Sequence, residues 1–157
     1  MNKYTGTKTV KALPMNRSDY NAYRGWRLPK DENGEDEGYL VVCTDGGDPN
    51  HPDSKGYISW LPKEHFDNVY CNIHEGISFG HALKLLKEGH KVSRKAWNGK
   101  GIFIELQVPD VNSKMPILYI FIDTTGLQTE NEEAPKSRVP WLASQTDILA
   151  EDWVDVG

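Results

Sequence analysis

Apolar residues follow two different spacings in the second half of this chain. From Ser78 the spacing is helical: Phe79, Ala82, Leu83 and Leu86 make one stripe, while Lys84, Lys87 and Glu88 face away from it. Ser78 stands where a hydroxyl accepts a hydrogen bond from the first turn, and Gly89 where a left-handed cap ends a helix. The spacing then changes to alternation. His90–Arg94 reads as a short strand, and Trp97 stands directly before the turn pair Asn98-Gly99. Ile102, Ile104, Leu106 and Val108 alternate with Phe103, Glu105 and Gln107, the mark of a half-buried strand. Ile117–Asp123 is apolar on both faces, which predicts a central strand or one at a subunit contact. A loop runs from Leu127 to Arg138, followed by Val139-Pro140-Trp141-Leu142. A polar turn then leads into a short helical piece, and the last strand is Trp153–Val156.

The first half alternates shorter pieces. Thr9–Leu13 reads as a strand closed by Pro14. A helix capped by Asn16 or Ser18 runs to about Tyr23 and stops at Gly25. Tyr20, Tyr23 and Trp26 are expected to pack in a core. Lys30–Gly38 is an acidic loop without the alternating ligands of a calcium site. Tyr39–Thr44 and Tyr57–Trp60 read as strands. Pro62 starts a helix to about Asn68, with Phe66 and Val69 expected to face inward. His51 and His65 have no evident partner. The order is β-α-β-β-α, and Cys71–Gly76 is a polar joint, so the expected domains are 1–71 and 72–157. The fold class is α+β: two small units, the second a compact antiparallel sheet with one packed N-terminal helix.

Composition narrows the classes. Of 157 residues, 26% are charged and 38% hydrophobic, with a net charge of −5. No apolar run approaches the ~20 residues of a membrane helix, and the N-terminus lacks the apolar core of a signal peptide. The expected location is the cytosol. Cys43 and Cys71 form no CxxC pair and lie in no zinc-ligand spacing. A pI near 5.5 argues against general binding of DNA or RNA polymers. Charge does not separate the halves: residues 1–71 carry 9 basic and 11 acidic groups, residues 72–157 carry 9 and 12.

One local departure matters. Between Lys84 and Lys100 lie six basic residues (Lys84, Lys87, Lys91, Arg94, Lys95 and Lys100) and one acid, Glu88. Positive charge around Trp97 suits a small anion with a flat ring. The same residues also read as a solvated helix face followed by a core tryptophan. Two tryptophans adjoin polar clusters: Trp97 with Arg94, Asn98 and Lys100, and Trp141 with Ser144, Gln145, Thr146 and Asp147. Two indoles flanking a purine would form a nucleotide site, with Arg94 and Lys100 meeting phosphates and Asp147 a ribose hydroxyl or an amino donor. Each tryptophan equally suits a core. No GxSxG, Walker or HExxH pattern occurs, and Ser144 with Asp147 lacks a histidine partner. The inventory favours binding over turnover and contains no catalytic, metal or cofactor set.

The blocks Ser78-Phe79-Gly80, Trp97-Asn98-Gly99-Lys100-Gly101, Glu105-Leu106-Gln107-Val108-Pro109-Asp110, Asn112-Ser113-Lys114-Met115 and Val139-Pro140-Trp141 through Asp152-Trp153 occur in order. With them, residues 77–156 resemble the second Thoeris anti-defence family of phages and prophages. The resemblance implies a non-enzymatic sponge that holds a cyclic ADP-ribose-type immune signal. It also implies a homotetramer with pockets at subunit contacts and, in some members, a separate site for cyclic di- or trinucleotides. By motif match, Trp97 and Trp141 would sandwich or flank the base. Asn98, Gln145, Thr146 and Asp147 would supply polar contacts, and Arg94 and Lys100 positive charge. Residues Gly56–Phe66 separately resemble the GYxSWxPKExF pattern of a small phage module. This chain departs from compact family members by that module and by its acidic 127–138 loop. The rival readings are a hydrolase of the same signal and a phage or toxin–antitoxin interaction module without a small ligand.

Overall fold

The computed structural model describes residues 1–157. They divide into two compact units, Met1–Tyr70 and Cys71–Gly157. No helix is long and apolar enough to cross a membrane.

In the first unit, β1 (Lys11–Pro14), α1 (Arg17–Tyr23), β2 (Gly38–Cys43), β3 (Tyr57–Pro62) and α2 (Lys63–Val69) follow in order. The sheet is antiparallel with order β1-β2-β3. The valine-rich β2 takes the centre, and Leu40 lies opposite Leu13 on one side and Trp60 on the other. Proline-ended β1 takes an edge, where a missing N–H costs least. Asn16 caps α1 by accepting from the Asp19 N–H at 2.7 Å. Tyr20, Leu40 and Ile58 form the core, with Met15, Tyr23, Val42 and Trp60 packed against them.

Three expectations for this unit need correction. Val69 is 65% exposed, because α2 ends there, while Phe66 stacks on Tyr39 at 4.0 Å. His51 does have a partner: it stacks on Tyr23 at 4.2 Å and a ring nitrogen lies 3.0 Å from the Tyr23 carbonyl. Trp26 is 54% exposed rather than core, since the positive φ of Gly25 turns the chain outward at the end of the helix.

The second unit contains α3 (Phe79–Lys87), β4 (Val92–Arg94), β5 (Phe103–Gln107), β6 (Tyr119–Asp123), β7 (Arg138–Pro140), α4 (Gln145–Ile148) and β8 (Trp153–Asp155). All pairings of its five-stranded sheet are antiparallel, in the order β7-β6-β5-β4-β8. The chain is therefore α+β with two sheets. The buried face of α3 is Ala82, Leu85 and Leu86, with Phe79 and Leu83 partly covered. Leu85 thus joins the stripe read from the sequence. These residues pack on Ile77, Val92, Ile104, Ala150 and Trp153. Gly89 ends α3 at φ +91. Gly101, at φ +80, sits so close to the Gly126 carbonyl that a Cβ there would collide with it.

The doubly apolar β6 is an interior strand, one in from the edge. Its outer neighbour β7 emerges from the end of the polar loop, too short and too exposed to show in the hydrophobic pattern. Arg138 there pairs with Asp123, which is 2% exposed. The Asp123 carboxylate accepts from Thr125 N–H (2.8 Å), Thr125 Oγ1 (2.6 Å) and Arg138 Nε (2.7 Å). The Thr125 hydroxyl foremost, then its N–H and Arg138, outweigh burial and bring the Asp123 pKa down to about 2.

Candidate functional site

Arg94 ends β4, opposite Trp153 of β8 in the sheet register. The chain then turns, with Trp97 N–H donating to the Arg94 carbonyl at 3.2 Å. This brings Trp97 back over Trp153, the rings meeting edge to face at 5.4 Å and 76°. Trp141 arrives from the other side. It follows β7, and its N–H donates to the Ile120 carbonyl at 2.9 Å, extending that pairing by one residue. Trp141 meets Trp153 at 5.9 Å and Phe79 at 6.0 Å. Phe79, Trp97, Trp141 and Trp153 thus form one aromatic cluster. Trp153 is wholly buried within it, and Trp97 and Trp141 are half-buried at its margin.

A polar lock closes one side. Ser144 caps α4 reciprocally: its Oγ donates to Asp147 Oδ2 at 2.6 Å, and the Asp147 N–H donates back to Oγ at 3.1 Å. The same carboxylate takes Arg94 Nη1 at 2.9 Å and Trp97 Nε1 at 3.4 Å. Arg94 Nε donates to Asp152 at 2.8 Å, whose second oxygen accepts the Ala96 N–H at 2.8 Å. The Asp147 carbonyl accepts the indole N–H of Trp153 at 3.0 Å. Burial pushes the Asp147 carboxyl up, but the Ser144 hydroxyl and Arg94 outweigh it and hold it below the usual range. Asp152 is held down in the same way: Arg94 and the Ala96 N–H overcome burial.

These contacts change two expected roles. Trp97 and Trp141 touch each other at 6.3 Å with planes 65° apart. Within one chain the pair therefore does not present parallel faces to a ring. Arg94 is only 12% exposed in its side chain and is engaged by two carboxylates. Its charge positions Asp147, and hence α4 and Trp97, instead of standing free for a phosphate. The wider basic cluster is also engaged. Lys84 pairs with Glu88, Lys91 lies over the Phe103 ring at 4.8 Å, and Lys95 donates to the Glu75 carbonyl.

Asn98, Lys100, Gln145 and Thr146 stand exposed. The backbone of Lys100 is tied, its carbonyl accepting the Gln128 N–H at 2.9 Å. The structure therefore joins Arg94, Trp97, Trp141 and Asp147, and leaves the other four on the surface. Sequence reasoning missed Phe79, Asp152 and Trp153. Trp153 shows no signal beyond its place in an apolar strand and at the end of the last family block. Asp152, next to a tryptophan in a run with Asp147, is findable only by asking what neutralises Arg94. No group of three or more His, Cys, Asp or Glu side chains is placed to hold a metal ion.

The domain model that matches residues 77–156 is described as the Thoeris anti-defense 2-like domain. That span holds the whole aromatic cluster and its lock. The chain belongs to this family. It is also 37% identical over 90 residues to Thoeris anti-defense 2 of Bacillus phage SP01, an alignment covering 49% of this chain and 91% of that protein. Membership supports a phage anti-defence role for the Thoeris anti-defense 2-like unit.

Proposed function

We propose that the second unit acts as a sponge: it binds and sequesters a cyclic ADP-ribose-type immune signal without cleaving it. One observation carries the reading: the family-matched span sets two half-buried tryptophans beside a carboxylate whose position is locked. Trp97 and Trp141 flank the base. Asn98, Gln145 and Thr146 supply adaptable polar contacts, Lys100 supplies the free positive charge, and Asp147, whose two oxygens already accept from Arg94, Trp97 and Ser144, holds Trp97 and α4 in place. A sponge must bind tightly, and a nanomolar Kd requires about −12 kcal/mol. Two aromatic contacts at roughly 1–3 kcal/mol each supply only part of this. Enclosure supplies the remainder, and a homotetramer with pockets at subunit contacts provides it. Exposed Ile117, Leu118, Val139 and Leu142 are apolar surface suited to such contacts. The setting is the host bacterial cytosol, and cyclic di- or trinucleotides are further candidate ligands.

The test is calorimetric titration with the glycocyclic ADP-ribose isomers, followed by mass spectrometry of the recovered ligand. Tight binding and intact ligand are expected. Fragments would mean hydrolysis, and no heat with any isomer would overturn the reading. Trp97→Ala and Trp141→Ala should each lose binding while keeping a cooperative melt; normal binding by both would displace the site.

A further inference from the structure

The first unit holds a cavity of about 360 Å³ lined by its own residues. That size is within the ordinary range of small-molecule pockets. Its walls are aromatic: Tyr20, Trp26 and Trp60 line it, with Tyr20 and Trp26 in edge contact at 6.4 Å. Trp26 is 54% exposed. A buried polar group also lines the cavity. Asn21 is 6% exposed, and its Nδ2 donates to the Arg17 carbonyl at 2.9 Å, which leaves Oδ1 as the acceptor on that wall.

The charges decide the ligand's sign. Glu32 is matched by Arg17, which grips both its oxygens at 2.5 Å while lying over the Trp60 ring at 4.7 Å. Arg24 lies over Trp26 at 4.1 Å, and its Nη1 is buried without an acceptor. Arg27 lines the cavity, is exposed and makes no ion pair. A cationic ligand would find the indole faces already holding guanidinium groups. An anion would find Arg27 uncompensated on the lining. A guanidinium spread on an indole also offers its own flat face and donor edge to a second ring.

We infer that this cavity binds a small molecule made of a flat ring and an anionic group, about the size of a nucleoside monophosphate. The ring lies against Trp26 and against the Arg17 guanidinium that covers Trp60, Asn21 and Glu32 accept from its polar edge, and Arg27 meets the anion. The inference does not depend on the sponge reading, since every residue it uses lies in Met1–Tyr70.

The test uses the full chain labelled with nitrogen-15 and titrated separately with AMP, GMP, UMP and inorganic phosphate. Each of the five tryptophans carries one indole N–H, so the signals, once assigned by single Trp→Phe variants, report on the two units separately. Saturable shifts of Trp26 and Trp60 with at least one nucleotide, and none with phosphate alone, are expected. Trp26→Ala should weaken that binding about tenfold or more, as loss of a stacking face does. Arg27→Ala should weaken it and flatten its salt dependence. Both positions are exposed, so a normal melt should accompany each variant. The inference is overturned if no nucleotide shifts Trp26 or Trp60, if only Trp97 and Trp141 respond, or if both variants bind as the parent does.

Discussion

Both units place arginine beside tryptophan, yet they use the pair differently. In Cys71–Gly157 the indoles satisfy one another edge to face, and Arg94 turns away from them to two carboxylates. In Met1–Tyr70 the arginines lie on the indole faces themselves, over Trp60 and Trp26. The contrast follows from core size. The second unit buries Ile77, Ala82, Leu85, Leu86, Val92, Ile104, Ala150 and Trp153, enough to organise an aromatic cluster around its centre. The first has a smaller core, the cluster of Tyr20, Leu40 and Ile58 with Val41 also buried, and its indoles remain at the margin, covered by cations. An indole inside a cluster holds the fold together. One at a margin is available for other contacts.

Substitution of the two kinds of indole tests this most severely. Trp153→Ala should destabilise the second unit by about 3–5 kcal/mol, the usual cost of emptying a core aromatic site. Trp26→Ala should change stability by no more than about 0.5 kcal/mol, as exposed substitutions do. Denaturant unfolding measures both, and equal effects would break the comparison.

The lock comes next. Arg94→Ala leaves Asp147 and Asp152 without their cation and should cost about 2 kcal/mol, in the range for hydrogen bonds to charged groups. It should also weaken ligand binding, because Trp97 and α4 lose their common anchor. Arg94→Lys should not rescue it, since a single ammonium cannot serve both carboxylates from the fixed Nε and Nη1 positions.

A pH series sharpens the comparison within the second unit. Asp123 has a folded pKa of about 2, below the ordinary 3.8. Its contribution to stability is therefore full above about pH 4 and is lost as pH falls toward about 2. Asp123→Asn should flatten that part of the acid limb, measured as unfolding midpoint against pH. An unchanged slope would show that the Thr125 and Arg138 contacts do not set it.

The smallest effect belongs to the exposed Lys84–Glu88 pair on α3. Glu88→Gln should cost no more than about 0.5 kcal/mol and nothing at high salt. A larger loss would mean that the charged face of the helix contributes more than a solvated surface does.

Much of the fold could be read in the residues. The helix from Ser78, its glycine stop, the alternation after Gly101 and the β-α-β-β-α order of the first unit are all patterns of neighbours. Helix capping and strand alternation act over a few residues, so their signals lie within short windows. Strand β7 escaped because it owes its existence to β6, whose backbone groups it pairs with, and not to any apolar pattern of its own.

The candidate site was legible in part, for the same reason. Trp97, Trp141, Arg94 and Asp147 can be picked out as chemically suited residues, and the structure brings them together. Their mutual arrangement could not be read. Arg94 reaches a carboxylate 53 positions away and another 58 away, and no local pattern says which acids will meet a given base. Trp153 looked like one more strand residue until packing made it the floor of the cluster. The sequence alone therefore determined the elements other than β7, the family-matched span and the chemical kinds of side chain available, because these are local or additive properties. Only the tertiary structure decided which charges cancel and which rings touch, because those depend on groups that the chain brings together from far apart.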